Sequence, residues 1–249
     1  ALEIGNVVTD TRTLRVGDFF VALRGPRFDG HAFVGEAFAR GAMGAMVEAA
    51  RFEAVGHAEA GGGAAGRSGA EPILLDVADT TKGLQDLAHA IRVAAGTRVI
   101  AITGSAGKTT TKDTIAEFLS LRFNVVKNKG NLNNHIGLPL SLLELRHRPD
   151  VAVMELGMNH AGEISTLVAV AEPDARVWTN VGDAHLGFFA SADAIADAKA
   201  EILERAGHDD LLVCNADDAR VMARVSGFPG RTITFGVSPG ADVRAVTVD

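Results

Sequence analysis

One cysteine, one tryptophan, no tyrosine and no surplus of positive charge mark this sequence by what it lacks. A single thiol, Cys214, excludes an intrachain disulfide framework and any multi-cysteine zinc site, and it fits a reducing cytoplasm. The net charge of -7, from 31 acidic against 24 basic residues, argues against a general nucleic-acid binder, because phosphate backbones select basic surfaces. No apolar run approaches the roughly 20 residues needed to span a bilayer, and the N-terminus lacks a signal-peptide pattern. No membrane span and a cytoplasmic location are therefore expected. The want of tyrosine beside heavy use of alanine, glycine and arginine reads as genome bias. What remains is a chain of 249 residues, 47% hydrophobic and 22% charged. That is a globular composition, with length for one large domain or two modest ones.

Residues 1–80 read as a small α/β unit. Asp18–Leu23 predicts a strand closed by the Gly25-Pro26 turn, and a helix is expected over His31–Arg40, with Phe33, Ala37 and Phe38 on one side. Ala42–Glu48 and Ile73–Val77 predict two more strands. Between them, residues 56–70 form a glycine- and alanine-rich stretch too poor in apolar bulk to pack. Thr80 or Thr81 caps a helix expected to run through Arg92 and to lead into a second unit, residues 81–249.

From Arg98 onward, short β-branched runs at 98–103, 123–127, 151–155, 175–179, 210–214 and 231–235 have the character of buried parallel strands. Helical patterns at 108–121, 162–171, 191–206 and 216–225 lie between most of them. The alternation predicts an α/β fold with a doubly wound, mostly parallel sheet that binds ligands at the carboxyl ends of its strands.

The sharpest motif is Thr103-Gly-Ser-Ala-Gly-Lys-Thr-Thr-Thr111, in which a strand enters a glycine-containing turn and then a helix. Backbone N–H groups of Gly104, Ser105, Ala106 and Gly107 and the helix start at Lys108, Thr109 and Thr110 are suited to cradle phosphate oxygens. In this pattern the lysine, Lys108, reaches the β- and γ-phosphates of ATP and the following hydroxyl, Thr109, sits on Mg²⁺. The strict pattern places glycine where this chain has Ile102, so the loop is a variant. A second signal is Asp150-Val-Ala-Val-Met-Glu155, an apolar strand ending in an acid that would emerge beside the phosphate loop as a metal ligand. His185, Lys199 and Asn215 each follow or flank such elements. Taken alone, His185 reads as structural or exposed, Lys199 as a solvated helix lysine and Asn215 as a helix N-cap. The run Asn128–Asn134 is a polar loop that offers amide donors near the same sheet edge.

Read in order, the phosphate loop, Gly130-Asn-Leu-Asn-Asn-His-Ile-Gly-Leu-Pro139, Glu155-Leu-Gly-Met-Asn-His-Ala-Gly-Glu-Ile164, Asn180-Val-Gly-Asp-Ala-His-Leu186, Ala198-Lys-Ala-Glu-Ile202 and Asn215-Ala-Asp-Asp218 closely resemble the Mur ligase family. Thr9-Asp-Thr-Arg-Thr-Leu14 and Gly25-Pro-Arg-Phe-Asp-Gly-His31 are similar to its UDP-substrate domain. The likeness covers nearly the whole chain apart from the glycine-rich stretch. Within the family, the loop forms resemble the branch that joins D-alanyl-D-alanine to UDP-N-acetylmuramoyl-tripeptide. The resemblance implies ATP-dependent ligation through an acyl phosphate, with Lys108, His185 and Lys199 catalytic. It implies Thr109 and Glu155 on one Mg²⁺, and His185 with a carbamylated Lys199 on a second. Asn215 would contact the adenine, Asp10, Thr11 and Arg12 the uridine nucleotide, and Asn131, Asn133 and Asn134 the substrate cleft. A monomer is expected. After His185 the chain reads Leu186-Gly-Phe-Phe-Ala-Ser191 where the family usually shows an acid and glycines, which puts the local loop geometry in question. The family also carries a third, C-terminal domain, so this chain is expected to be the N-terminal and central portion of a longer enzyme and to be inactive alone. A sibling ligase adding one amino acid, and a non-catalytic nucleotide-binding module, stand as alternatives.

Overall fold

The computed structural model describes residues 4–51, 72–182 and 187–246; the glycine-rich stretch 56–70 lies outside them. The chain divides into two compact units, Ala1–Leu87 and Ala88–Asp249, and the division falls inside the helix Thr80–Ala95 (α2). Among the described residues, no helix is long and apolar enough to cross a membrane.

The described residues of the first unit form four strands, β1 (Val7–Val8), β2 (Phe19–Val21), β3 (Gly44–Glu48) and β4 (Ile73–Val77), parallel and side by side in chain order. Phe20, Ala45 and Val47 from the strands pack on Val34 and Ala37 of the short helix Val34–Ala39 (α1). The expected helix over His31–Arg40 is split, because residues 30–33 form a 3₁₀ turn before the α-helix begins. Asp29 imposes that turn by accepting the His31 N–H at 3.0 Å and its ring Nδ1–H at 2.6 Å, while His31 Nε2 accepts the Glu48 N–H at 2.8 Å.

In the second unit the described residues form a seven-stranded sheet built from β5 (Arg98–Thr103), β6 (Val125–Lys127), β7 (Val151–Glu155), β8 (Ala175–Trp178), β9 (Leu211–Asn215), β10 (Arg231–Gly236) and β11 (Val243–Arg244). Its order is β11-β10-β9-β8-β5-β7-β6 and every pairing is parallel. The winding reverses at β5, so the crevice for a ligand lies where the carboxyl ends of β5, β7 and β8 diverge. Ile102, Val153 and Val177 from these strands pack against Ala116 of the helix Lys108–Ser120 (α3). The remaining α-helices among the described residues of this unit are Gly137–Leu142 (α4), Glu163–Ala171 (α5), Ala192–Ala200 (α6) and Ala219–Val225 (α7).

From Arg98 onward, three boundaries differ from the sequence expectation by two residues or more, each for a visible reason. The strand expected from residue 123 starts at Val125, since the Arg122 and Phe123 N–H groups still bond Leu119 O at the end of α3. The helix expected over 216–225 starts at Ala219, because Asp218 and not Asn215 is its cap, accepting the Arg220 and Val221 N–H groups. The helix expected to reach residue 206 stops at Ala200 and continues as a 3₁₀ turn to Leu203. There Arg176 draws the chain off helical geometry, its guanidinium donating to Ile202 O at 2.8 Å and Glu204 O at 3.3 Å.

Arg176 is fully buried and also donates to Pro173 O at 2.8 Å and Asp210 Oδ2 at 2.9 Å. Burial pushes its guanidinium below the ordinary value, with Asp210 opposing the shift. Arg176→Ala would leave Asp210 and three carbonyls without this partner, so a loss of about 3 kcal/mol or more is expected. Urea unfolding checks it, and a loss below about 1 kcal/mol would mean that water replaces the guanidinium there.

Candidate nucleotide and metal site

β5 delivers the chain into the loop Gly104–Gly107, and α3 leaves it. Gly104 has φ +151, and a Cβ there would lie 1.9 Å from Thr179 Oγ1, so only glycine fits. Gly107, φ +78, is the left-handed residue that turns the loop into α3, and no side chain caps that helix start. The leading N–H groups of α3 lack intrahelical partners by helix geometry and, with the helix dipole, suit an anion.

The loop is pinned from behind by the residues after β8. The Ser105 N–H donates to Asn180 O at 3.0 Å, the Ala106 N–H donates to Asn180 Oδ1 at 2.9 Å, and Thr179 Oγ1 donates to Ala106 O at 2.8 Å. Asn215, at the end of β9, donates its amide to Thr179 O at 3.0 Å and accepts the Asp217 N–H at 2.9 Å. It therefore stands one residue behind the loop's support. Asn180 and Thr179 were not singled out from sequence, although Asn180 opens one of the family-like motifs.

Two lysines converge on one carbonyl. Lys108 Nζ donates to Gly104 O at 2.9 Å and Lys199 Nζ donates to the same oxygen at 3.0 Å. Lys199 is 1% exposed on α6, so its reading as a solvated helix lysine is corrected. Ile195, Ala196 and Ala198 are buried on the same short helix, which turns Lys199 inward. Burial, and then the neighbouring charge of Lys108, hold its ammonium down at about 7 against an ordinary value of 10.5.

Glu155 ends β7 with both carboxylate oxygens engaged. Oε2 accepts from Thr109 Oγ1 at 2.7 Å and Oε1 accepts from Asn133 Nδ2 at 2.9 Å. Asn134 Oδ1 caps the start of α4 by accepting the Ile136 and Gly137 N–H groups. Lys108, Glu155, Asn131, Asn133, Asn134 and His135 line a cavity of about 340 Å³ with Gly157, Met158, Asn159 and Glu163. Thus Lys108, Thr109, Glu155 and the asparagine loop come together, and Lys199 joins them through Gly104. Thr110 lies exposed in the first turn of α3. His185, expected to be catalytic and a metal ligand, lies outside the described residues.

The donor set tests the implied metal. A threonine hydroxyl and a carboxylate oxygen 2.7 Å apart are hard oxygen ligands, and Mg²⁺ is held by one or two such groups plus phosphate oxygens and water. The pair fits that use. Among the described residues, no group of three or more His, Cys, Asp and Glu could form a metal cage.

In the first unit, Asp10, Thr11 and Arg12 line a separate cavity of about 650 Å³ with Phe20, Phe28, Phe33 and Glu36. Asp10 caps the turn Thr11–Thr13 by accepting the Arg12 N–H at 2.9 Å, and it also pairs with the Arg12 guanidinium. That pairing holds its carboxyl down at about 2. Phe28 and Phe33 are 58% and 44% exposed; Phe28 falls within the Gly25–His31 motif, and Phe33, expected on the apolar side of the helix, instead ends the 3₁₀ turn and lines this cavity.

Residues 102–249 match the model of the Mur ligase middle domain. The chain is 40% identical over 249 residues to the UDP-N-acetylmuramoyl-tripeptide–D-alanyl-D-alanine ligase of Synechocystis sp., covering 100% of this chain and 51% of that protein. Crystal structure II of MurF from Acinetobacter baumannii superposes with a TM-score of 0.83 at 36% identity, over 99% of this chain and 50% of that one. MurF from Thermotoga maritima, solved in complex with ADP, gives 0.77 at 32% identity, over 94% and 50%. The chain spans about half the length of the relatives it matches.

Proposed function

The chain belongs to the Mur ligase family, and from that premise we propose that it forms the substrate- and ATP-binding parts of a cytoplasmic ligase that joins D-alanyl-D-alanine to UDP-N-acetylmuramoyl-tripeptide. The observation that carries this is the meeting of Lys108, Thr109, Glu155 and the Asn131–Asn134 loop around one cavity, with Lys199 bonded to the loop behind it. Residues 1–80 would hold the uridine nucleotide against Asp10, Thr11, Arg12 and the exposed rings of Phe28 and Phe33. Residues 81–249 would hold ATP, with Asn215 on the adenine side.

The chemistry asks a carboxylate to approach an anionic triphosphate, so cations must lie between them. In the first step a tripeptide carboxylate oxygen bonds the γ-phosphorus and the bond to ADP breaks, giving an acyl phosphate. In the second the dipeptide amine bonds the acyl carbon, phosphate leaves and the nitrogen loses a proton. Lys108 and the leading N–H groups of α3 hold the phosphates, while Asn133 fixes the Glu155 carboxylate. Mg²⁺ on Thr109 and Glu155, when bound, supplies neutralisation of phosphate charge.

In the full-length protein, phosphate release should require the UDP-tripeptide and D-alanyl-D-alanine together, and a single amino acid should not replace the dipeptide. Asp10→Ala should raise the KM for the UDP substrate about tenfold with little change in kcat, as expected for loss of uniform binding. Release without the UDP substrate would favour the nucleotide-binding module, and release with a single amino acid would favour the sibling ligase.

A further inference from the structure

Lys112 sits on the buried stripe of α3, with Ile115, Ala116 and Leu119 following at helical spacing and packing into the core. It is 2% exposed. Its ammonium donates to Asn128 O at 3.1 Å and lies 4.0 Å from Glu155 Oε2 and 3.9 Å from Asp113 Oδ1. Asp113 is half exposed and already accepts from Lys127 at 2.8 Å. Glu155 is almost wholly buried, so it is the anion that Lys112 meets through protein and not through water. Asn128, itself buried, clamps the same strand end. Its Oδ1 accepts the Glu155 N–H at 3.0 Å and its Nδ2 donates to Glu155 O at 3.1 Å. Lys112, Asn128 and Glu155 are one linked unit.

We propose that Lys112 is a positioning residue, the resident counter-charge of Glu155, and that it keeps the Thr109–Glu155 pair from taking up a free divalent cation, so that the cation enters together with the nucleotide's phosphates. The proposal rests on the nucleotide reading of this site. A free ion arriving at Glu155 meets a carboxylate already balanced by Lys112, with Lys108 lining the same cavity. Glu163, the other acid lining that cavity, accepts the Asn159 N–H at 2.6 Å and pairs with His160. A nucleotide brings phosphate oxygens and several negative charges, which engage Lys108 and turn the balance in favour of the cation. A lysine that only filled space beside Asn128 would have no effect on this order of entry.

The test is titration of Mn²⁺, read by electron paramagnetic resonance, on the full-length protein with and without ADP. The wild type should bind Mn²⁺ with ADP and only at about millimolar concentration without it. Lys112→Met should tighten nucleotide-free Mn²⁺ binding about tenfold or more, since a unit charge 4.0 Å away is removed. Lys112→Arg should behave as the wild type, and Lys112→Met combined with Glu155→Gln should lose the gain. Lys112→Gln serves as a second neutral variant should the methionine protein fail to fold. An unchanged nucleotide-free curve in a folded neutral variant, or a gain that survives Glu155→Gln, would overturn the proposal while leaving ADP binding intact. Micromolar Mn²⁺ binding by the wild type without ADP would overturn it without recourse to any variant. Failure of the wild type to bind ADP with Mn²⁺ would instead overturn the nucleotide reading, and this proposal with it.

Discussion

Replacing Lys108 with alanine in the full-length protein is expected to cut ATP turnover on the order of 100- to 1,000-fold, the scale seen when one preorganised donor to developing charge is removed. Lys108 lines the cavity at the head of α3 and rests on Gly104 O. In that position it is the cation that would follow charge onto the transferred phosphoryl oxygens. The fold should tolerate the change, because the loop keeps its bonds to Asn180 and Thr179 and Gly104 O still accepts from Lys199. The defect should fall on kcat and kcat/KM together, since the interaction tightens as charge develops. A second consequence follows from geometry. Lys108 contributes to holding Lys199 below its ordinary value, so Lys108→Ala should move Lys199 upward, visible as a shifted titration of a ¹⁵N-labelled Lys199 amine. Near-normal turnover in a folded Lys108→Ala protein would sink the phosphate-loop assignment.

The parts of this site that were legible in sequence are those where local pattern and tertiary role coincide. β5 and β7 are short continuous apolar runs because both faces of a parallel sheet are covered, and their ends carry Gly104 and Glu155 by simple succession. The glycines of the loop declare themselves through positive φ and close approach. Local pattern alone made Lys199 a solvated helix lysine and Asn128 part of a polar loop. The family-like motif, and not the pattern, pointed to Lys199, and Lys112 was not read at all, because a helix lysine is solvated by default. One trace was present for Lys112, which falls in register with Ile115 and Ala116 on the stripe that α3 buries. Asn215 shows the converse, where a sound local rule for caps was overridden. Its side chain turned to Thr179 O, and Asp218 took the helix start. In the first unit the turn at Asp10 was found through a motif. The exposed rings of Phe28 and Phe33 could be appreciated only once the sheet had left them unpacked.

Lys199 should prove costly to stability and necessary to function at the same time. Its ammonium is buried on α6 and bonds the Gly104 carbonyl. Below about pH 7 the folded and unfolded chains both carry the proton, and the folded chain bears the full cost of burying it. Between about 7 and the ordinary value of 10.5, the unfolded chain holds a proton that the folded chain has lost, so this residue's contribution to stability rises with pH across that window. Lys199→Met should therefore stabilise the protein at pH 6, by an amount on the order of a few kcal/mol, and should abolish the rise. Denaturant unfolding at a series of pH values reads both effects. The same depressed value leaves a large share of the amine neutral near pH 7, which is the form that adds CO₂. In the carbamylation expected for Lys199, the nitrogen would bond the carbon, a proton would leave to solvent, and the resulting carbamate would present two oxygens of the kind a hard cation accepts. Activity of the full-length Lys199→Ala protein should accordingly fall by orders of magnitude and return in part with added acetate or formate, which supply carboxylate oxygens in the space the side chain vacated. Rescue by these ions in Lys199→Ala but not in Lys108→Ala would separate a lost carboxylate from a lost cation. A fully active Lys199→Ala protein, or high-resolution density for an unmodified lysine with nucleotide, metal and substrate bound, would exclude the carbamate.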